Sequence, residues 1–172
     1  TVLELLLRFY QVDGGTIRVD GKPLEEIELY DLRRAISYVP QEPVLRQGTI
    51  RDNLLLARPD ATEEKLQDAA ERTGILAQIE GGLDREIGEQ GMALSGGERQ
   101  RIAMARCLLE ERKVILLDEA TSQLDGAAQE AIAMLLRQEQ KSRGATVLSV
   151  AHRLEFNRFA DATILLDDGG SR

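Results

Sequence analysis

The sequence predicts an α/β fold in which a mostly parallel sheet is interrupted by an all-helical insertion. Three observations carry that reading. Short apolar strand patterns alternate with helical ones, as parallel strands joined by crossover helices require. The run Val114-Ile115-Leu116-Leu117 is apolar throughout, the pattern of a buried strand. From residue 49 to residue 79 strand signals fade and helical periodicity replaces them.

Taken in order, residues 1–10 read as a largely buried helix with no start signal and no preceding strand, so the domain is expected to begin upstream of Thr1. Asp13-Gly14-Gly15 is a turn, residues 16–20 alternate like a strand, and Gly21-Lys22-Pro23 turns again. A short helix over Leu29–Ala35 leads to a strand over Ile36–Val39 that stops at Pro40. Residues 49–57, 62–73 and 75–79 are helical, with Pro59 and Gly74 as breakers. Residues 81–91 form a loop rich in glycine and charge, and a long helix follows Ser95 to about Leu109. Val114–Asp118 is a strand. Residues 125–140 form an amphipathic helix with Ala128, Ile132, Leu135 and Leu136 on one side. Strands are expected at Thr146–Val150 and at 162–166, the last closed by Asp167-Asp168-Gly169. There is no internal repeat or low-complexity tract.

The chain of 172 residues suits about one domain. Its 42% hydrophobic and 30% charged residues are ordinary for a globular protein. No apolar run approaches the roughly 18 residues of a membrane helix, and no secretory signal opens the chain. Membrane association must then come through a partner or a segment outside this sequence. A net charge of -8 argues against a nucleic-acid binder, which needs a basic face. It leaves room for a local anion site at a helix start. The single Cys107 cannot form an intramolecular disulfide and falls in a helical run, where a small core residue is the expected role.

Chemistry concentrates at a few points. The strand Val114–Asp118 delivers Asp118 and then Glu119 at its C-terminal edge, where α/β sheets bind ligands. Asp118 could hold Mg2+ through a water, and Glu119 could polarise an attacking water. An apolar run ending in Asp-Glu is common, so taken alone it better suits two acids that merely cap the following turn. In Leu94-Ser95-Gly96-Gly97-Glu98, Ser95 and Glu98 have the spacing of a capping box. That explains the serine and the glutamate but not two glycines in a first turn, where glycine costs stability. Glycines leave backbone N–H groups bare for a phosphate, and the helix dipole and nearby Arg99 and Arg101 add positive character. His152, the only histidine, follows the strand Thr146–Val150 at the same sheet edge and could hydrogen-bond a γ-phosphate or water. Gln41 follows a strand and Pro40, within reach of a metal or water in the same way.

The order of these motifs resembles the nucleotide-binding domain of ATP-binding cassette (ABC) ATPases, over essentially the whole chain. Leu94-Ser95-Gly96-Gly97-Glu98-Arg99-Gln100-Arg101 followed by Ile102-Ala103-Met104-Ala105-Arg106 resembles the family signature, a specific one. The resemblance implies a P-loop NTPase (RecA-like) core with a mostly parallel sheet and an inserted helical subdomain. It divides the chain into core residues 1–42, helical residues 43–105 with the signature, and core residues 106–172. It identifies Gln41 with the Q-loop glutamine, Asp118-Glu119 with the end of the Walker B strand, Ser122 to Asp125 with the D-loop and His152 with the switch histidine. Catalytic roles fall to Glu119, His152 and Gln41. Thr1, Ser95, Gly96, Gly97, Glu98 and Asp125 would contact nucleotide, and Gln41 and Asp118 the Mg2+.

Gln41-Glu42-Pro43-Val44-Leu45, Gly48-Thr49-Ile50-Arg51-Asp52-Asn53 and Ile87-Gly88-Glu89-Gln90-Gly91 resemble exporter segments that face the transmembrane domain. The sequence departs from the family at Glu98, where glutamine is commoner, at Gln123, where alanine is usual, and at Arg46, where exporters carry an aromatic residue. The phosphate-loop lysine and serine of Walker A are not in the chain, and Thr1 resembles the threonine that closes that motif. The chain is therefore expected to be truncated within Walker A and, as given, to turn over little ATP. The resemblance implies an ATPase of an exporter at the cytoplasmic face of a membrane. Its partners would be a transmembrane domain and a second nucleotide-binding domain packed head to tail, with ATP and Mg2+ as ligands and no nucleic acid. A non-transport ABC ATPase is the rival, but the short stretch between Gln41 and Ser95 has no room for the long coiled coil of repair types.

Overall fold

The computed structural model describes residues 2–91, 93–151 and 159–165. Helix α1 (Val2–Leu6) is followed by a small hairpin of β1 (Arg18–Val19) and β2 (Lys22–Pro23). Helix α2 (Leu29–Ala35) runs directly into β3 (Ile36–Val39). Three helices come next: α3 (Ile50–Leu55), α4 (Glu63–Arg72) and α5 (Ile75–Gln78). The long helix α6 (Gly96–Glu110) leads to β4 (Val114–Asp118), α7 (Gly126–Arg143) and β5 (Thr146–Val150). The strands β3, β4 and β5 form a parallel sheet in that order, with Val39 beside Leu117 and Asp118 beside Val150.

The sheet explains why β4 is apolar from Val114 to Leu117. Ile115 and Leu117 face a core built with α6 and α7, whereas Leu116 packs with Leu3 and Leu7 behind the opposite face. Alternate side chains of a strand point to opposite faces, so a strand covered on both sides has no polar register. A second core joins α3, α4 and α5 to α6 through Ile50, Leu54, Leu66, Ile75, Ile102 and Leu109. Helix α6 is thus a wall shared by both cores. Its Ala103, Met104, Cys107 and Leu108 face the sheet side, while Ile102, Ala105 and Leu109 face the helices. Burying each large side chain of this kind contributes about 1.5–3 kcal/mol. Burial also pushes the Cys107 thiol up to about 12, as suits a packing residue rather than a nucleophile.

Polar groups tie the layers together. Asn53 is fully buried on α3; its side chain donates to the carbonyls of Arg46 and Thr49, at 2.8 and 2.9 Å, and accepts from the Arg46 N–H at 2.9 Å. Arg106 of α6 donates to the carbonyls of Asn53 and Val44, at 2.8 and 2.9 Å. Together they pin the segment after β3 onto the helical layer. Glu139 of α7, only 5% exposed, is held between Arg72 of α4 and Arg143 of its own helix. Removing one partner of such a buried set leaves an uncompensated charge.

Three elements differ from the sequence expectation. Helix α1 stops at Leu6 rather than running to residue 10, because Arg8 adopts a left-handed backbone with φ of 54°. The strand expected over 16–20 pairs only at Arg18–Val19. The turn is Asp20-Gly21, with φ of 50° and 79°, and Lys22-Pro23 is the returning strand rather than part of the turn. Two consecutive positive φ values are what a tight hairpin demands. Residues 162–165 carry no strand, and Ile164 and Leu165 are 80% and 82% exposed. Among the described residues nothing pairs with them, and an apolar pattern without a neighbouring ladder makes no strand. Leu166 lies outside the described residues.

Candidate functional site

Parallel pairing brings the C-terminal ends of β3, β4 and β5 to one edge. Gln41 follows β3, Asp118 closes β4 and Glu119 comes next. The Gln41 Nε2 donates to Glu119 Oε2 at 3.0 Å, and the Tyr38 hydroxyl donates to Asp118 Oδ2 at 3.0 Å. The two neighbouring acids are thus held by different residues of the β3 side. Glu119 leaves the strand with φ of 46°, a left-handed backbone uncommon for a residue with a Cβ. Its N–H still donates to the Val150 carbonyl at 3.0 Å, and its carbonyl accepts from Ser122 at 2.9 Å. Such a backbone is held by its surroundings and clusters at functional sites. Desolvation, then the hydrogen bond to Asp118, push the Tyr38 phenol up to about 12, so it remains a donor across the physiological range.

The start of α6 is a separate feature, built by local capping and by the loop after β4. Ser95 and Glu98 form a reciprocal capping box: the Glu98 N–H donates to Ser95 Oγ at 3.2 Å and the Ser95 N–H to Glu98 Oε2 at 2.6 Å. The glycines answer to a close neighbour. A Cβ on Gly96 would fall 1.2 Å from Gln123 Oε1, and one on Gly97 would fall 3.2 Å from the Gln123 carbonyl. The loop after β4 therefore lies directly on the first turn of α6. Gln100, 1% exposed, fixes it there: its side-chain Oε1 accepts the Gln123 N–H at 3.1 Å and its Nε2 donates to Ser122 Oγ at 3.4 Å. Asp125 ends that loop as the N-cap of α7, accepting the Ala128 N–H at 2.8 Å.

Arg99 and Arg101 are both tied to backbone carbonyls, and Arg99 lines the cavity beside Gly96. Arg99 turns back to the Leu94 carbonyl at 2.7 Å, and Arg101 reaches the Thr73 carbonyl at 2.9 Å. A cavity of about 360 Å3 opens beside the loop, lined by Glu42, Pro43, Val44, Gly96, Arg99 and Gln123. Thr1 and His152 lie outside the described residues. Tyr38 and Gln100 carried no functional expectation of their own in the sequence. Tyr38 is legible only once the strand register is known, and Gln100 only once the loop is seen against α6.

An α/β domain with its acids at the C-terminal edge of a parallel sheet, joined through α6 to a helical layer, has the architecture of a P-loop NTPase. The ABC transporter family model matches residues 1–122. The chain is 43% identical over 173 residues to the ATP-dependent lipid A-core flippase of Hahella chejuensis (strain KCTC 2396), covering 98% of this chain and 29% of that protein. It is 40% identical over 172 residues to P-glycoprotein 14 of Caenorhabditis elegans, covering 98% of this chain and 13% of that protein. A solved structure of a bacterial Atm1-family ABC exporter with ATP bound matches with a TM-score of 0.82 and 37% identity, over 90% of this chain and 28% of that one. The chain belongs to the ABC transporter family and corresponds to part of its ATP-binding domain. It spans less than a third of the length of these relatives.

Proposed function

We propose that this chain is the ATP-binding and ATP-hydrolysing part of an ABC exporter that couples hydrolysis to substrate transport across a membrane. The observation that carries the reading is the meeting of Gln41 and Glu119 at 3.0 Å, two residues 78 positions apart joined at one sheet edge. Glu119, its backbone held by Val150 and Ser122, orients and polarises the attacking water. Gln41 steers the Glu119 carboxylate and offers an amide oxygen to the metal. Asp118 adds a carboxylate. One carboxylate and one amide oxygen suit Mg2+, which takes few protein ligands beside substrate phosphates and water. When bound, Mg2+ neutralises charge on the β- and γ-phosphates.

Ser95, Gly96, Gly97 and Glu98 present the start of α6 to the ATP held by a second nucleotide-binding domain, packed head to tail. Asp125 sets the loop that lies on this start. His152 and Thr1 take γ-phosphate and nucleotide contacts on sequence grounds. In this reading residues 1–42 and 106–172 belong to the nucleotide-binding core and 43–105 to the helical subdomain. The partner that carries cargo is a transmembrane domain, and the site lies at the cytoplasmic face. Among the described residues no helix is long and apolar enough to cross a membrane.

The test uses the full-length transporter. Glu119→Gln should lower ATP turnover by about 100-fold or more, the scale of a lost general base, while nucleotide binding persists. Turnover within a few-fold of the parent would overturn the assignment.

A further inference from the structure

Tyr38 stands where the packing asks only for an apolar side chain. It sits opposite Leu116 in the parallel register and joins the face of the sheet covered by Leu3 and Leu7. A phenylalanine would fill that half-buried place equally well. The hydroxyl donates to Asp118, two residues beyond Leu116 on the neighbouring strand, with Oδ2 at 3.0 Å. Residues two apart on a strand share a face, and a diagonal cross-strand neighbour lies within reach of a long aromatic side chain. The contact thus follows from register and side-chain length.

We propose that Tyr38 is a positioning residue for the metal site. By donating to one Asp118 oxygen it restricts rotation of the carboxylate, so the group is set before nucleotide and Mg2+ arrive. Ligating carboxylates generally need such outer partners to hold their geometry. The inference rests on the reading of Asp118 as a metal-holding residue. It separates the two acids functionally: Tyr38 orients Asp118, whereas Gln41 engages Glu119.

The test compares Tyr38→Phe with its parent in the full-length transporter, both carrying Glu119→Gln so that hydrolysis is suppressed. Mn2+ serves as the probe, titrated with ATP present and followed by electron paramagnetic resonance. Tyr38→Phe should raise the Mn2+ midpoint on the order of tenfold, the usual effect of losing an outer partner of a metal ligand. ATP affinity in the presence of a chelator and the thermal midpoint without metal should stay at parent values. A merely structural tyrosine would weaken both arms together, and that result overturns the proposal. An unchanged Mn2+ midpoint overturns it too. Asp118→Asn separates the layers. If that variant weakens Mn2+ binding while Tyr38→Phe does not, the positioning role alone fails; if it leaves Mn2+ binding intact, the metal reading of Asp118 fails with it. The double variant should bind Mn2+ no worse than Asp118→Asn alone, since a residue acting through another adds nothing once that one is gone.

Discussion

Helices α3 and α6 begin with the same device and serve opposite ends. Thr49 and Asp52 form a reciprocal capping box at α3, and Ser95 and Glu98 form one at α6. The next residue divides them. At α3 it is Ile50, with no exposed surface, locked into the helical core. At α6 it is Gly96, with the carboxamide of Gln123 where a side chain would go. A capping box therefore marks a helix start and no more. What distinguishes the α6 start is that its first two residues carry no side chain while another loop is laid on them.

The sharpest break in that comparison is Ile50→Ala, which should destabilise the fold by about 2–5 kcal/mol, the range for truncating a large buried aliphatic. Chemical denaturation of the full-length protein, followed by a probe in its nucleotide-binding domain, would measure it. Next come the two glycines, which should behave differently. Gly97→Ala meets the backbone carbonyl of Gln123 at 3.2 Å and should cost about 1–3 kcal/mol, as overpacking does. Gly96→Ala meets only the end of an exposed side chain, which can swing away, so stability should stay within about 1 kcal/mol of the parent. Equal losses for the two would show that the loop, not the Gln123 side chain, sets the packing.

Below the Gly97 loss, Thr49→Ala and Ser95→Ala should each cost about 1 kcal/mol, because both hydroxyls accept one otherwise unpaired N–H. The similarity in stability should contrast with ATP turnover, which Ser95→Ala lowers and Thr49→Ala leaves near the parent value. The smallest effect is one of pH. The backbone N–H of Thr49, and then its hydroxyl, hold the Asp52 carboxyl below its ordinary value of 3.8. A carboxyl lowered on folding adds stability above its unfolded value and loses it as pH falls through the folded one. Protection against amide exchange at the start of α3 should accordingly fall below about pH 4, once the intrinsic slowing of exchange in acid is corrected for.

Most of the sheet was legible from local pattern. The strands at Ile36–Val39, Val114–Asp118 and Thr146–Val150 occupy their expected residues because apolar runs bounded by breakers leave little choice of position. The hairpin is hard to read locally because Pro23 looks like a turn residue, yet as the last residue of a two-residue edge strand it is tolerated without an N–H to donate. Residues 162–165 looked like a strand, but pairing is not a local property. The same limit governs the site. The capping of α6 could be read from Ser95 and Glu98, which are neighbours in sequence. Tyr38 with Asp118, Gln41 with Glu119 and Gln100 with Gln123 could not, since each pair is made by strand register or by the path of a loop.

Helix α6 has no idle side. Its 15 residues form a beam about 22 Å long, with one flank set in the sheet core and another in the helical core. Protein interiors packed at the density of organic crystals compress little. A push on the first turn at Gly96 has no soft layer in which to dissipate. It must shift the sheet, the helical layer or the seam between them, which the Arg72–Glu139 ion pair crosses. Mechanically, the end that carries the glycines is the handle of a lever whose fulcrum is the rest of the molecule.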